Sequence, residues 1–355
     1  MVNGLYKAFR PFLFQLDAEK AHHLAVAFLA RKRNCKIPGD DQLTVPVAGF
    51  TVKNPIGMAA GFDKYGTCFQ GLATLGLSFA ELGTFTPRPQ EGNAKPRLFR
   101  VKGNFALVNR MGFNNPGIEN ALLNIKKNLA ACNEEFQIGM SLGKQKETPN
   151  EDALSDYLYS LDKIAHEISS RVAYIAINIS SPNTPGLREL QSREYLSDLV
   201  SQCKKHSPWP LFIKLAPDFD DMNDFTNTVE IALGNGANGL IISNTTSNLG
   251  LLSHTPAELK GVAGGLSGFP LRDKARALLQ KAREIAGYKV PIIASGGVMT
   301  KEDAWDRLMI GANLVQVYTG LVYGGPGFVY DCLEYVRQQL QRQKVSLREF
   351  ESRRN

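Results

Sequence analysis

The stretch Ala173-Tyr-Ile-Ala-Ile-Asn-Ile179 is apolar almost throughout, and Ser180-Ser-Pro-Asn-Thr184 follow it at once. A strand with no polar alternation is buried on both faces, as in a parallel sheet covered by helices. Seven similar runs flank it. Before it come Pro55–Ala60, Ser78–Gly83 and Phe136–Leu142; after it come Leu211–Ala216, Gly239–Ser243, Val290–Ala294 and Leu314–Tyr318. Helical patterns separate them at Asp152–Arg171, Arg193–Lys205, Asp221–Leu233, Leu271–Ala286 and Lys301–Ile310. Eight strand–helix units in series predict an α/β fold, a (β/α)8 TIM barrel. A doubly wound sheet is the alternative. It usually has fewer strands and a Gly-x-Gly-x-x-Gly turn, and none follows the first strand here.

Composition agrees with a globular chain. Of 355 residues, 43% are hydrophobic and 21% charged, which excludes disordered and collagen-like classes. The five cysteines form no Cys-x-x-Cys pair, so the expectation is reduced thiols in a cytoplasmic compartment and no metal site. The formal charge is +7, and the first 36 residues carry seven Lys and Arg against two acids. A basic leader on a nearly neutral body points to an anionic membrane surface and not to nucleic acid, since no nucleic-acid motif accompanies it.

That leader reads as two amphipathic helices. Leu5, Phe9, Phe12, Leu13 and Leu16 share one face of the first. Asp17 is placed to cap the second, which carries Ala21, Leu24, Ala25, Phe28 and Leu29 and ends in Arg31–Arg33. No run is long enough to span a bilayer, and no signal peptide is legible. Pattern alone leaves a packed cap and a membrane-embedded hairpin evenly matched. The expected organisation is an extension over 1–40, a barrel over 41–340 and a polar tail over 341–355. Two connections are long, Thr84–Pro116 and Asn244–Pro270; the first holds an expected hairpin of Arg97–Val101 against Phe105–Asn109.

Barrel sites form at the C-terminal strand ends. There the chain places Gly296-Gly297 and Tyr318-Thr-Gly320, turns suited to holding a phosphate through backbone N–H groups, with Gly265–Gly268 as a further contributor. Five asparagines fall at the same ends: Asn109, Asn114, Asn178, Asn183 and Asn244. Their amides suit an uncharged heterocycle with ring N–H and C=O groups. No His sits at a strand end, which leaves Ser180, Ser181, Thr184 and Thr245 as candidate bases. Lys214, inside a strand, needs an anion to face, and a reduced flavin is one. Lys64 is placed to meet a substrate carboxylate.

At these residues the chain resembles the quinone-dependent (class 2) dihydroorotate dehydrogenases. The matching segments are Ala59–Lys64, Gly83–Gln90, Lys95–Arg100, Asn109–Asn115, Asn178–Arg188, Lys214–Asp218, Ser243–Thr246 and Gly264–Gly268, in the family's order. The resemblance implies an FMN enzyme of pyrimidine synthesis that oxidises (S)-dihydroorotate to orotate and passes electrons to a membrane quinone. It implies Ser181 as the base for the C5 proton, with the C6 hydride going to flavin N5. The substrate contacts it implies are Lys64, Asn109, Arg110, Met111, Gly112, Phe113, Asn178, Asn183, Asn244 and Thr245. Those to FMN are Ala60, Gly61, Phe62, Asp63, Lys64, Thr84, Ser141, Asn178, Lys214, Ser243, Gly268, Gly297, Tyr318 and Thr319. His22 and Arg100 fall at the quinone head, in a tunnel that the two leader helices form from the bilayer.

The resemblance therefore implies a monomer bound peripherally on the cytoplasmic side of the cell membrane. Two positions depart from the family. Ser141 stands where an Asn usually contacts FMN, and Ser243 where many members have Thr. The rival readings are a related FMN barrel using a soluble acceptor, fumarate or NAD, and a non-catalytic membrane-attached binding protein. The leader and Ser181 argue against the first. The intact Ser181, Lys64 and Lys214 argue against the second.

Overall fold

The structure is a computed structural model that describes residues 2–219 and 221–353. The Leu5 side chain, and Arg354 and Asn355 at the end of the expected tail, lie outside the described residues. Eight strands close into one barrel: β1 (Ile56–Met58), β2 (Phe79–Phe85), β3 (Gln137–Leu142), β4 (Val172–Asn178), β5 (Leu211–Leu215), β6 (Gly239–Ile242), β7 (Ile292–Ser295) and β8 (Leu314–Val317). Every neighbouring pair is parallel and consecutive in the chain, β8 closing on β1. Each strand lies within two residues of the expected run, because an all-apolar segment is stable only when both faces are covered.

Register decides which side chains meet at the mouth. Asn178 pairs with Lys214 across β4 and β5. Gly83 pairs with Ser141 across β2 and β3.

One of the seven connections between consecutive barrel strands differs from the expectation. Between β1 and β2 the chain makes a 3-10 helix, Phe69–Leu75, and no α-helix. The leader occupies the space: the Leu29 backbone carbonyl packs over Gly71, and Gln70 Nε2 donates to Ala30 O at 3.0 Å.

The leader helices run Val2–Leu13 and Ala18–Leu29. Asp17 caps the second by accepting from Lys20 N at 2.9 Å. That helix stops at Leu29, a turn short of the expected basic end, so Arg31–Arg33 lie beyond its last turn. Glu19 and Leu29 are buried against the barrel, whereas Phe12, Leu24 and Phe28 are more than half exposed. Among the described residues no helix is long and apolar enough to cross a membrane.

Two small sheets finish the body. Val45–Val47 and Phe50–Val52 form an antiparallel hairpin with Ala48 and Gly49 at positive φ in the turn. It lies before Pro55–Ala60, in a stretch where the sequence reading expects no strand. The expected hairpin is present as Leu98–Val101 against Ala106–Asn109. A third strand, Gly265–Gly268, pairs with Ala106–Asn109, so both long connections join in one sheet over the mouth.

Candidate active site

A cavity opens at the C-terminal strand ends, about 1200 Å³ including its open mouth. Ala60, Gly61 and Lys64 reach it from β1, Thr84 from β2, and Asn178, Ser181 and Asn183 from β4. Lys214 comes from β5, Ser243, Asn244 and Thr245 from β6, Gly297 from β7, and Tyr318 and Thr319 from β8. Asn109, Met111, Gly112, Phe113 and Gly268 enter from the covering loops, and His22 from the leader.

Asn178 organises the amide cluster. Its Oδ1 accepts from Ser180 N at 3.2 Å and Ser180 Oγ at 2.9 Å, and its Nδ2 donates to Thr84 Oγ1 at 2.8 Å. Asn244 Nδ2 donates to Ser180 Oγ at 2.9 Å. Asn183 Nδ2 donates to Asn109 Oδ1 at 2.9 Å. Amides bonded to one another hold fixed orientations and leave their other lone pairs and N–H groups for a ligand. Asn114 stands apart. It is buried outside the cavity lining, so four asparagines converge where five were expected.

The candidate hydroxyls separate by their partners. Ser180 is spent on Asn178 and Asn244. Thr184 is buried and does not line the cavity. Ser181 and Thr245 do line it, and among the described residues Ser181 Oγ has one partner, the Asn183 N–H at 3.2 Å.

Several expected residues do not line the cavity. The Asp63 carboxylate turns away to accept from the backbone N–H groups of Thr67, Cys68 and Phe69 at 2.8–2.9 Å, where it holds the following 3-10 turn. Phe62 is wedged edge-on between His22 and Tyr318. Arg110 contributes backbone instead, its N–H donating to Arg97 O and its carbonyl accepting from Asn93. Ser141 is fully buried with its hydroxyl 2.9 Å from Thr84 Oγ1, so it stands one residue behind the lining. Arg100 is also outside; it donates to Leu16 O at 2.7 Å and lies over the Phe14 ring.

Two residues that sequence reasoning passed over complete the site. Glu81, on β2, is fully buried and pairs with Lys214 Nζ at 2.8 Å. The anion that Lys214 needs is thus already in the protein. Gln316, on β8, donates to Glu81 Oε2 at 2.7 Å and lines the cavity, while its Oε1 is buried with no partner among the described residues. Lys214 within an apolar strand was the one available sign of Glu81, since a lone buried ammonium is far costlier than a paired one.

Burial sets the charges here. It pushes the Lys64 amine down to about 7, with Arg97 adding to the shift and Glu19 opposing it. It pushes His22 down to about 3, helped by Lys64 and His23, so His22 is neutral. Burial raises the Tyr318 phenol, which is neutral too. The cavity therefore offers neutral hydrogen-bonding groups and two amines.

Comparison with known proteins agrees with this geometry. The family model for dihydroorotate dehydrogenase matches residues 42–341. The chain is 44% identical over 339 residues to a dihydroorotate dehydrogenase (quinone) of Anaeromyxobacter dehalogenans, covering 92% of this chain and 90% of that one. It is 42% identical over 347 residues to another of that name from Vibrio parahaemolyticus, covering 93% and 99%. A crystal structure of ligand-free DHODH from Eimeria tenella superposes with a TM-score of 0.84 at 30% identity, over 94% of this chain and 98% of that one.

Proposed function

We infer the chemistry from one premise: the chain belongs to the dihydroorotate dehydrogenase family, in its quinone-dependent branch. It oxidises dihydroorotate to orotate with a quinone as electron acceptor, a step of pyrimidine biosynthesis. The family works through a flavin, and we propose that the flavin here is FMN.

The residues present fit that group. Gly268 (φ 98°) and Gly297 (φ 70°) line the cavity in the left-handed region, and a Cβ on either would collide with backbone, of Phe105 and of Arg272 respectively. Such bare turns let a phosphate approach backbone N–H groups. The unmet Gln316 Oε1 is an acceptor of the kind that a ring N–H satisfies. Lys214, paired with Glu81, lines the same cavity with donors left over for a ligand. Bound there, FMN supplies the acceptor for the two electrons that leave dihydroorotate and later reach quinone. Ala60, Gly61, Thr84, Ser243, Tyr318 and Thr319 form the remaining wall for it. Phe62, Asp63 and Ser141 act from behind that wall.

The chain's own residues handle the substrate. Lys64 holds its carboxylate. Asn109, Asn178, Asn183 and Asn244 hold the ring amides, Thr245 adds a hydroxyl, and Met111, Gly112 and Phe113 close the covering loop; Arg110 shapes that loop through its backbone. Ser181 Oγ takes the C5 proton as the C6–H bond gives up its electron pair, leaving the C5=C6 double bond of orotate. A serine is a weak base, so its position and the electron withdrawal at C6 must carry the step.

The acceptor side is proposed on the leader. Its exposed Phe12, Leu24 and Phe28, with Arg31, Lys32 and Arg33 beside them, suit an anionic bilayer surface on the cytoplasmic side, contacted peripherally by a monomer. His22 reaches the shared cavity from this side, and Arg100 holds the leader's Leu16 carbonyl. The observation that carries the reading is this convergence of Ser181, Lys64, Lys214 and four asparagines with His22 on one cavity. Rapid mixing with dihydroorotate without air tests the substrate half. Reoxidation by a quinone analogue, compared with fumarate and NAD, tests the acceptor.

A further inference from the structure

We propose that Arg188 is the positioning residue for Ser181, fixing the peptide that carries it. The inference rests on the reading of Ser181 as the base. Arg188 lies outside the cavity lining, so it acts through other groups. Its Nε donates to Ser180 O at 3.0 Å, its Nη2 to Thr245 O at 2.9 Å and its Nη1 to Asp218 Oδ2 at 2.8 Å. One guanidinium thus ties together the loops that follow β4, β5 and β6.

The contact to Ser180 O reaches the base directly. That oxygen and the Ser181 Cα belong to one planar peptide unit. Holding the oxygen fixes the plane, and with it the start of the Ser181 side chain. The Ser180 hydroxyl is held at the same time by Asn178 and Asn244. Ser181 itself, with one backbone partner, has little else to locate it.

Asp218 anchors the far side. It accepts from Ser247 N at 2.7 Å, from Lys274 Nζ at 2.7 Å and from the Thr246 hydroxyl. Burial alone would raise its carboxyl, but the hydrogen bonds from Lys274, Thr246, Ser247 and Arg188 hold it well below the usual range. It stays an anion wherever the enzyme works. Only a planar fork of donors reaches three oxygens on three loops; a lysine at 188 would hold fewer, at unfixed angles.

The test uses the flavin-loaded full chain, mixed with dihydroorotate in the absence of air. Arg188→Ala is expected to slow flavin reduction about 100-fold, the scale of a misplacement near 1 Å. Orotate affinity, read from the flavin spectrum, should change less than about threefold, since Arg188 lies outside the cavity lining and meets Thr245 only at its backbone carbonyl. Guanidinium ion added to Arg188→Ala should recover part of the rate. In a Ser181→Ala background, Arg188→Ala should produce no further loss, because one residue acts through the other.

A reduction rate within about threefold of wild type would overturn the proposal, as would losses that multiply in the double variant. So would an orotate affinity that falls in step with the rate. If Arg188→Ala does not fold, Arg188→Lys and Asp218→Asn carry the same comparison. If Ser181→Ala alone reduces flavin at the wild-type rate, the base assignment fails first and takes this proposal with it.

Discussion

The barrel mouth and the leader use opposite devices. At the mouth, polar side chains are bonded to one another: Asn178 to Ser180 and Thr84, Asn183 to Asn109, Lys214 to Glu81. In the leader, Phe12, Leu24 and Phe28 face outward without cover, and attachment rests on few points. Among those points are Tyr6 to Val322 O, Arg10 to Tyr323 O, Gln70 to Ala30 O, Arg100 to Leu16 O, and Glu19 to Arg97. The difference follows from the two jobs. Proton removal needs groups fixed within a fraction of an ångström, which cross-bonded amides provide. Receiving a lipid-soluble quinone needs apolar surface that the protein leaves unfilled. Glu19 joins the halves, since its buried pair with Arg97 continues through Asn93 to the Asn183 carbonyl.

The contrast breaks most directly at the base. Ser181→Ala should slow flavin reduction by dihydroorotate by about 10³-fold or more while the flavin stays bound. Near-normal reduction would mean that the mouth does not depend on that hydroxyl.

Lys64 is next. Lys64→Ala should lower kcat/KM about 100-fold by removing a charged partner of the carboxylate. It also gives the mouth a pH signature. In the open site its amine titrates near 7, and a carboxylate binds the protonated form. Orotate affinity should hold steady below pH 7 and fall up to tenfold per unit above it. Lys64→Arg keeps its charge and should flatten that profile. A wild-type affinity independent of pH between 6 and 9 would separate Lys64 from the carboxylate.

The leader should behave in the converse way. Replacing Phe12, Leu24 and Phe28 together by Ser should leave flavin reduction unchanged and lower turnover with a long-chain quinone in vesicles about tenfold. Deleting residues 1–36 is a blunter tool than these substitutions, because it strips Glu19 from the buried Arg97. The smallest effect is expected at Asp17→Ala, which removes the cap of the second leader helix and costs about 1 kcal/mol in a denaturation curve.

The barrel was legible because each strand is buried on both faces, which leaves an unbroken apolar run in the chain. Two short elements made by pairing were not, although the hairpin that ends at Asn109 was. Val45–Val47 is only three residues and Pro46 interrupts its two valines, and Gly265–Gly268 is half glycine; neither is long or regular enough to read as a strand, and each becomes one by meeting its partner. The mouth was legible as residue types at strand ends, since Ser181, Lys64 and four asparagines do converge. Direction was not legible. Asp63 follows Phe62 in the same turn as Lys64 but folds back on Thr67–Phe69, and Asn114 is buried elsewhere. His22 enters from a segment far away in sequence, which strand-end reasoning does not reach.

The central claim is that the mouth and the leader serve one flavin. Its most direct test is the visible spectrum of the purified chain, recorded without air before and after adding dihydroorotate, then after adding a quinone analogue. The account predicts a yellow protein that bleaches with dihydroorotate and regains its colour with the quinone. A colourless protein, a spectrum indifferent to dihydroorotate, or colour regained only with fumarate or NAD would contradict it.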